Sequence, residues 1–165
     1  MINILPMQPD QVKDAKYVIT AVAQRIFEPQ KTVQEFYDIL EAERELQDVD
    51  DFQQAYINNR GLFLVVLDDD KLVGTGALKK YAENIAELKR LWLLEDYHRR
   101  GIGYRVVNQL LDFARTQNFG KVRLQTSTKQ VRAIQFYTQL GFYDIPRYRE
   151  SIDTVFMEIL LASGT

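Results

Sequence analysis

Tyr97-His98-Arg99-Arg100-Gly101-Ile102-Gly103-Tyr104 is the stretch on which the rest of the chain turns. An apolar strand candidate, residues 88–93, leads into it, and an amphipathic helix leads out. In that helix Ile102, Val106, Leu110 and Phe113 recur at helical spacing, with Val107, Leu111 and Ala114 beside them. The helix begins without the Ser, Thr, Asp or Asn that ordinarily accepts the first free N–H groups. Arg99 and Arg100 sit instead at the positive end of its dipole, where cations are unfavourable. Glycines at 101 and 103 leave the backbone N–H groups open to close approach. A bare helix N-terminus, two glycines and two misplaced arginines describe a socket for an anion, most naturally phosphate. The competing reading is a solvated turn with chance arginines.

Upstream of this stretch, residues 85–93 form a strand on which a strict period of two sets Glu87, Lys89, Leu91 and Leu93 on one face. Leu88, Arg90 and Trp92 fall on the other. Residues 61–67 and 72–78 are two further strands joined by Asp68-Asp69-Asp70-Lys71, an acidic hairpin turn; residues 79–84 make a polar connection to the next strand. The three aspartates lack the alternating ligands and terminal Glu of a calcium loop. Earlier still, residues 2–5 are a short strand. Asp10 is placed to cap a helix striped by Val12, Ala15, Val18, Ile19, Val22 and Ile26, and Thr32 to cap a second with Val33, Phe36, Ile39 and Leu40 inward. The acidic run 41–51 is expected to be a solvated helix end or loop, the other reading being an attractor for a cationic substrate.

Downstream, Phe119-Gly120 closes the central helix. Residues 122–126 are a strand, and Ser127 or Thr128 caps a helix that carries Ala133, Ile134, Phe136, Tyr137 and Leu140 and stops at Gly141. A strand from Phe142, a loop over residues 146–151 and a last strand over 154–161 finish the chain. The order of elements gives a mixed α/β sheet in one domain spanning residues 1–165.

Composition bounds the rest. A chain of 165 residues suits one domain with a core of its own. Without cysteine there is no disulfide, no Cys-based zinc site and no cysteinyl nucleophile. The formal net charge of −2 gives no general pull toward nucleic acid or an anionic membrane. No signal peptide or apolar run of membrane-spanning length is apparent, so a cytoplasmic location is expected. A dinucleotide fingerprint fails because Val106 stands where its third glycine belongs.

Three segments together resemble the GNAT N-acetyltransferase superfamily. Leu91-Trp92-Leu93 lies in the place of its splayed fourth strand, which pairs with the pantetheine arm of acetyl-CoA. His98-Arg99-Arg100-Gly101-Ile102-Gly103 lies in the place of its Gln/Arg-x-x-Gly-x-Gly/Ala pyrophosphate loop. Ala133-Ile134-Gln135-Phe136-Tyr137-Thr138-Gln139-Leu140-Gly141-Phe142 is similar to its Ala-x-x-x-Tyr-x-x-x-Gly-Phe segment. The resemblance implies a GNAT fold: a central mixed, mostly antiparallel sheet with flanking helices and a splayed cleft for acetyl-CoA, the co-substrate.

It also implies roles. Leu91, Trp92 and Leu93, residues 98–104 from His98 to Tyr104, and Gln130 would hold acetyl-CoA, one strand N–H also serving the thioester oxyanion. Tyr137 would protonate the leaving thiolate; otherwise it is a core tyrosine. Glu87 resembles the general base of some members, against the alternative of a surface glutamate paired with Lys89. The acceptor, a small-molecule or peptide amine, would be lined by Arg25, Phe27, Glu28, Phe36 and Tyr37, and by Arg147, Tyr148 and Arg149 of the loop before the last strand. Arg147 and Arg149 either clamp an acceptor carboxylate or form a solvent-facing basic loop.

The sequence departs from the family pattern in three places. His98 stands where Gln or Arg is usual, Gln130 where Asn is common, and Gln125 where some protein N-terminal acetyltransferases carry a Glu. Acyl transfer to a primary amine by direct attack in a ternary complex is thus expected. The alternative is a non-catalytic acyl-CoA sensor on the same fold; a homodimer stays open, and neither nucleic acid nor membrane is expected as a partner.

Overall fold

Short alternating segments dominate the chain, and the computed structural model, which describes residues 1–162, assembles them into one seven-stranded sheet. Four strands run antiparallel in chain order: β1 (Ile2–Pro6), β2 (Leu62–Asp68), β3 (Lys71–Ala82) and β4 (Ile85–Leu93). β5 (Lys121–Ser127) lies parallel to β4. β7 (Thr154–Leu160) and the two-residue β6 (Tyr143–Asp144) complete the order β1-β2-β3-β4-β5-β7-β6. The parallel step needs a crossover, and α5 (Ile102–Thr116) supplies it.

The period-2 pattern sorts strand side chains to two cores. Leu64, Val66, Leu78 and Leu88 pack with Ile102, Val106, Val107 and Leu110 of α5, and with Tyr137 of α6 (Val131–Leu140). Phe63, Val65 and Ala77 pack on the other face with Ala15, Val18 and Ile19 of α1 (Val12–Phe27). At Gly76 an added Cβ would lie 2.5 Å from Val106 Cγ1, so the missing side chain lets α5 settle directly on β3.

Helix starts follow local chemistry in part. Thr32 caps α2 (Val33–Ala42) through a reciprocal pair with Glu35, each bond 3.1 Å. Asp10 does not cap α1; a single 3₁₀ turn over Pro9–Gln11 precedes it, and Gln11 Oε1 accepts from the Gln8 N–H at 2.8 Å. Ser127 and Thr128 do not cap α6 either. Gln130 holds the N-cap position and turns its Oε1 back to the Thr126 hydroxyl at 2.9 Å, so α6 begins without a side-chain cap.

The acidic run departs from its expectation in part. It folds as α3 (Gln47–Asp50), followed by α4 (Phe52–Ala55), and buries Leu46, Val49 and Phe52 in the α1-side core. Asp48 accepts from Arg90 at 2.6 and 3.0 Å and from the Tyr56 hydroxyl at 2.5 Å. Burial alone would raise the Asp48 carboxyl, but Arg90 and Tyr56 outweigh it and hold the group below the usual carboxylate range. Lys16, itself buried, is matched by Glu41 and by Asp50 at 2.9 Å. Asp48, with Glu41 and Asp50, braces α1 and β4, while every acid of the run but Asp48 stays exposed, as a solvated helix end and loop would be.

β3 also runs on to Ala82, through much of the expected connection, because Lys79 and Lys80 pair with Glu87 and Ala86 of β4. Finally, the strict alternation along β4 fails. Ala77 pairs with Lys89 and Thr75 with Trp92, leaving Arg90 and Leu91 opposite Gly76 alone: a bulge, with Arg90 at φ 56°. The Thr75 hydroxyl donates to the Arg90 carbonyl at 2.7 Å. Leu88, Leu91 and Leu93 therefore share the α5 side, and Trp92 packs on the α1 side.

Candidate active site

Bulged strands bend, and β4 leaves its neighbour soon after pairing begins. β4 and β5 are joined only at Ile85↔Lys121, Ala86↔Val122 and Glu87↔Arg123. From Leu88 onward β4 continues with β3 alone, and β5 with β7 alone. The gap between them is bounded at its apex by Glu87 and Arg123. At its far end, Leu94 N–H donates to Val73 O, which turns the N–H and C=O of Leu93 toward the open edge, where the His98 ring already bonds the C=O and leaves the N–H for a ligand. An extended amide chain entering this gap would find strand edges to pair with.

Beyond β4 the chain reaches the bare N-terminus of α5. Gly101 is the N-cap at φ 75°, and an added Cβ there would meet nothing within 4 Å, so its surroundings are open to a ligand. No side chain caps α5, Arg99 adopts φ 62°, and Arg99 and Arg100 are exposed. Arg100 lies 5.1 Å over the Tyr97 ring, whose hydroxyl donates to Asp68 at 2.7 Å. Ile102 anchors the helix in the core and Tyr104 is exposed. Gly103 stands apart from the expected role of a pure backbone opening: an added Cβ would touch Phe136 of α6 at 3.5 Å, so it also sets the approach of α5 to α6.

His98 turns away from this opening. Its Nε2 meets the Leu93 carbonyl at 2.8 Å and its Nδ1 meets Arg132 of α6 at 2.9 Å. A carbonyl only accepts and a guanidinium only donates, so the ring carries its proton on Nε2. Both nitrogens are engaged, and His98 ties the end of β4 to the start of α6. Gln130 sits at that same start, with its carbonyl oxygen committed to Thr126 and the Ser127 N–H. Arg132, the second residue of the uncapped α6, is the cation that the motif reading passed over. Its only sequence signal is a place two residues after Gln130.

Glu87 is 2% exposed, buried under the loop over residues 145–153. Its Oε2 accepts from the Tyr148 hydroxyl at 2.9 Å and lies 2.8 Å from the Arg149 guanidinium. Its Oε1 has only the Lys89 ammonium, at 3.9 Å, beyond hydrogen-bond reach. Among the described residues the one sealed, unpartnered side-chain oxygen is Thr154 Oγ1, so Glu87 Oε1 keeps an opening to solvent. Both sequence readings of Glu87 are modified: Lys89 is near it, but the carboxylate is buried, with one oxygen held and one free.

The loop is strapped down. Arg149 also donates to Gln125 at 3.1 Å, and Gln125 donates to Ser151 at 2.8 Å. The Tyr148 ring has the guanidinium carbons of Arg123 at 4.5 Å and Arg149 at 4.9 Å from its centre, both within cation–π reach. Burial and the Glu87 charge push its phenol up. Arg147 is exposed and pairs with Glu150 at 3.6 Å, so it forms no joint clamp with Arg149. At the other wall, Arg25 is paired with Glu95 at 2.5 Å, and Glu28 with Lys31 at 3.3 Å.

Tyr137, on the α5 side of the sheet, packs edge-on to Phe142 at 5.6 Å and against Phe136 at 5.5 Å. Burial pushes its phenol up, so it keeps its proton across the neutral range. Its ring is a core residue and its hydroxyl a loaded donor; the two sequence readings are compatible.

The residues thus fit acetyl-CoA: open strand edges for pantetheine amides, and an uncapped helix N-terminus with exposed arginines for the pyrophosphate. Among the described residues, no helix is long and apolar enough to cross a membrane and no cluster of acids and histidine suits a metal ion.

Comparison with known proteins agrees. The family model "Acetyltransferase (GNAT) family" matches residues 26–142. N-acetyltransferase 8 of Homo sapiens is 34% identical over 101 residues, covering 58% of this chain and 44% of that protein. N-acetylaspartate synthetase of Xenopus tropicalis is 30% identical over 97 residues, covering 58% and 36%. The chain thus spans about half or less of the length of these relatives. Among solved structures, a GNAT-family acetyltransferase from Staphylococcus aureus superposes with a TM-score of 0.84 at 21% identity, covering 98% of this chain and 100% of that one. The PaiA N-acetyltransferase of Thermoplasma acidophilum, solved in complex with coenzyme A, gives 0.77 at 21% identity, covering 96% and 98%. With the family model spanning most of its length, the parted β4 and β5, and the bare α5 terminus, the chain belongs to the acetyltransferase (GNAT) family, whose co-substrate is acetyl-CoA.

Proposed function

We propose that the protein transfers an acetyl group from acetyl-CoA to a primary amine by direct attack within a ternary complex. The observation that carries this reading is the end of β4–β5 pairing at Glu87↔Arg123, which puts a buried carboxylate at the apex of a gap with unpaired strand edges. Acetyl-CoA supplies the activated acyl carbon. The backbone edges of Leu91 and Leu93 and the N–H groups at the start of α5 hold it immobile, so that attack by the amine becomes local. Glu87 Oε1, free of hydrogen bonds, receives the proton that the attacking amine must lose, directly or through one water. Tyr148 and Arg149 fix the other oxygen, so the carboxylate is aimed without spending the atom that works. Tyr137, still protonated at neutral pH, serves the departing thiolate from the α5 side.

The test is release of free thiol from acetyl-CoA on adding a panel of amines, with wild-type protein beside Glu87→Gln. Amine-dependent thiol release that drops in the variant is the expected result. Tight acetyl-CoA binding with no release for any amine would favour a non-catalytic acyl-CoA sensor and overturn the transferase reading.

A further inference from the structure

The face of the sheet that the acceptor must cross carries more cations than its acids can match. Glu158, 5% exposed, is met by Arg123 at 2.9 Å and Lys121 at 3.5 Å. Asp48 is committed to Arg90 at 2.6 Å, and the Oε2 atom of Glu87 to Arg149 at 2.8 Å. Two ammonium groups are left over. Lys79 stands directly opposite Glu87 in the β3–β4 register, and among the described residues no carboxylate lies within salt-bridge distance of it. Lys89 has only the long 3.9 Å approach to Glu87 Oε1 and makes no hydrogen bond among the described residues. The Lys89 side chain is 31% exposed and that of Arg149 37%, so beside Glu87 both still present N–H groups to solvent. Desolvation lowers the Lys89 ammonium; the charges of Glu87 and Asp48 oppose that, and Lys79 and Arg149 add to it.

We infer that the acceptor is an amine bearing its own carboxylate a few bonds away, a small zwitterion of the amino-acid type, and that Lys89 with Arg149 receives that carboxylate while Glu87 Oε1 faces the amine. The inference rests on the acyl-transfer reading of this gap. The arrangement alternates in sign, Lys89 and Arg149 on either side of Glu87, as a neighbouring ammonium and carboxylate require. An acceptor without the carboxylate leaves Lys89 desolvated and unmatched in the complex, which weakens its binding. Arg149 is exposed enough to offer its remaining N–H groups without leaving Glu87, and a guanidinium has five.

The test compares the twenty amino acids with their carboxamides as acceptors at saturating acetyl-CoA. At least one amino acid should exceed its carboxamide about tenfold or more in kcat/KM, about 1.4 kcal/mol in the transition state. Lys89→Met should erase that ratio mainly through the amino acid's KM, and Lys89→Arg should restore it. Because Lys89 holds no hydrogen bond within the described residues, its replacement need not disturb the loop. Equal or better turnover of carboxamides, or an unchanged ratio in Lys89→Met, would overturn the inference while leaving acetyl transfer standing. Acetyl-CoA binding with no thiol release for any amine would overturn both together.

Discussion

At the scale of single residues, the proposed transfer moves two protons and assigns them to two buried groups on opposite sides of the sheet, Glu87 and Tyr137. Glu87 has one oxygen held by Tyr148 and Arg149 and one free. Glu87→Gln keeps the shape and the accepting oxygen but cannot take a proton, so kcat should fall about 10²–10⁴-fold, the usual contribution of a positioned base. Tyr148→Phe removes one of the two bonds on Oε2 and leaves Oε1 untouched. It should lower kcat less than Glu87→Gln does, and steady-state kinetics of the two variants side by side checks the order. Tyr137→Phe keeps the contacts with Phe136 and Phe142 and deletes only the hydroxyl. Turnover should drop about tenfold or more with acetyl-CoA affinity nearly unchanged. Equal turnover in Tyr137→Phe would leave the tyrosine a core residue and no more.

At the scale of elements, the parts that sequence patterns reveal are those fixed locally. The start of α5 was legible because its signals lie within a few residues: no capping side chain, glycines that leave the backbone open, and an apolar stripe at helical spacing; the positive φ of Gly101 is seen only in the structure. Gly101→Val forces a β-branched residue to φ 75° and crowds the opening. Weaker acetyl-CoA binding by calorimetry and lower stability are both expected. The bulge in β4 was not legible, because nothing near Arg90 announces it. It depends on Asp48, 42 residues away, and on the Thr75 hydroxyl of the neighbouring strand. The same holds for part of the acidic run: most of its acids are exposed, as its charge pattern suggests, and only Arg90, Lys16 and Tyr56, brought in by the fold, tie down Asp48 and Asp50. Glu87 was found by its place on the strand. Its partners Tyr148 and Arg149, some 61 residues on, were named as lining residues but not as its anchors.

Those tertiary anchors make pH-dependent predictions. The Asp48 carboxyl is lower in the folded protein than its unfolded value of about 3.9. Its contribution is therefore fully present above that value and is lost as pH falls through the lower folded one. Asp48→Asn leaves the Arg90 charge short of its partner and should cost about 3 kcal/mol near neutral pH, the lower part of the range for breaking a buried pair. Urea unfolding from pH 7 to pH 3 should show that difference steady down to about pH 5 and shrinking below about pH 4. A difference that grew in acid would contradict the pairing. Gly76→Ala tests the seating of α5 on β3: the added methyl meets Val106, and overpacking should cost about 1–3 kcal/mol in the same assay.

At the scale of the whole molecule, the sheet parts between β4 and β5, where the proposed function places the reaction. β1 to β4 form a continuous antiparallel half and β5 to β7 a second; three residue pairs join them, and two helix N-termini converge beyond the gap. Under the proposed function, acetyl-CoA occupies that break with its pyrophosphate on α5. Calorimetric titration with acetyl-CoA, beside CoA and ATP, tests it most directly. Saturable binding of acetyl-CoA and CoA at one site, with ATP far weaker and Gly101→Val impaired, is the predicted result. Absence of binding, or ATP binding as well as acetyl-CoA does, would contradict it.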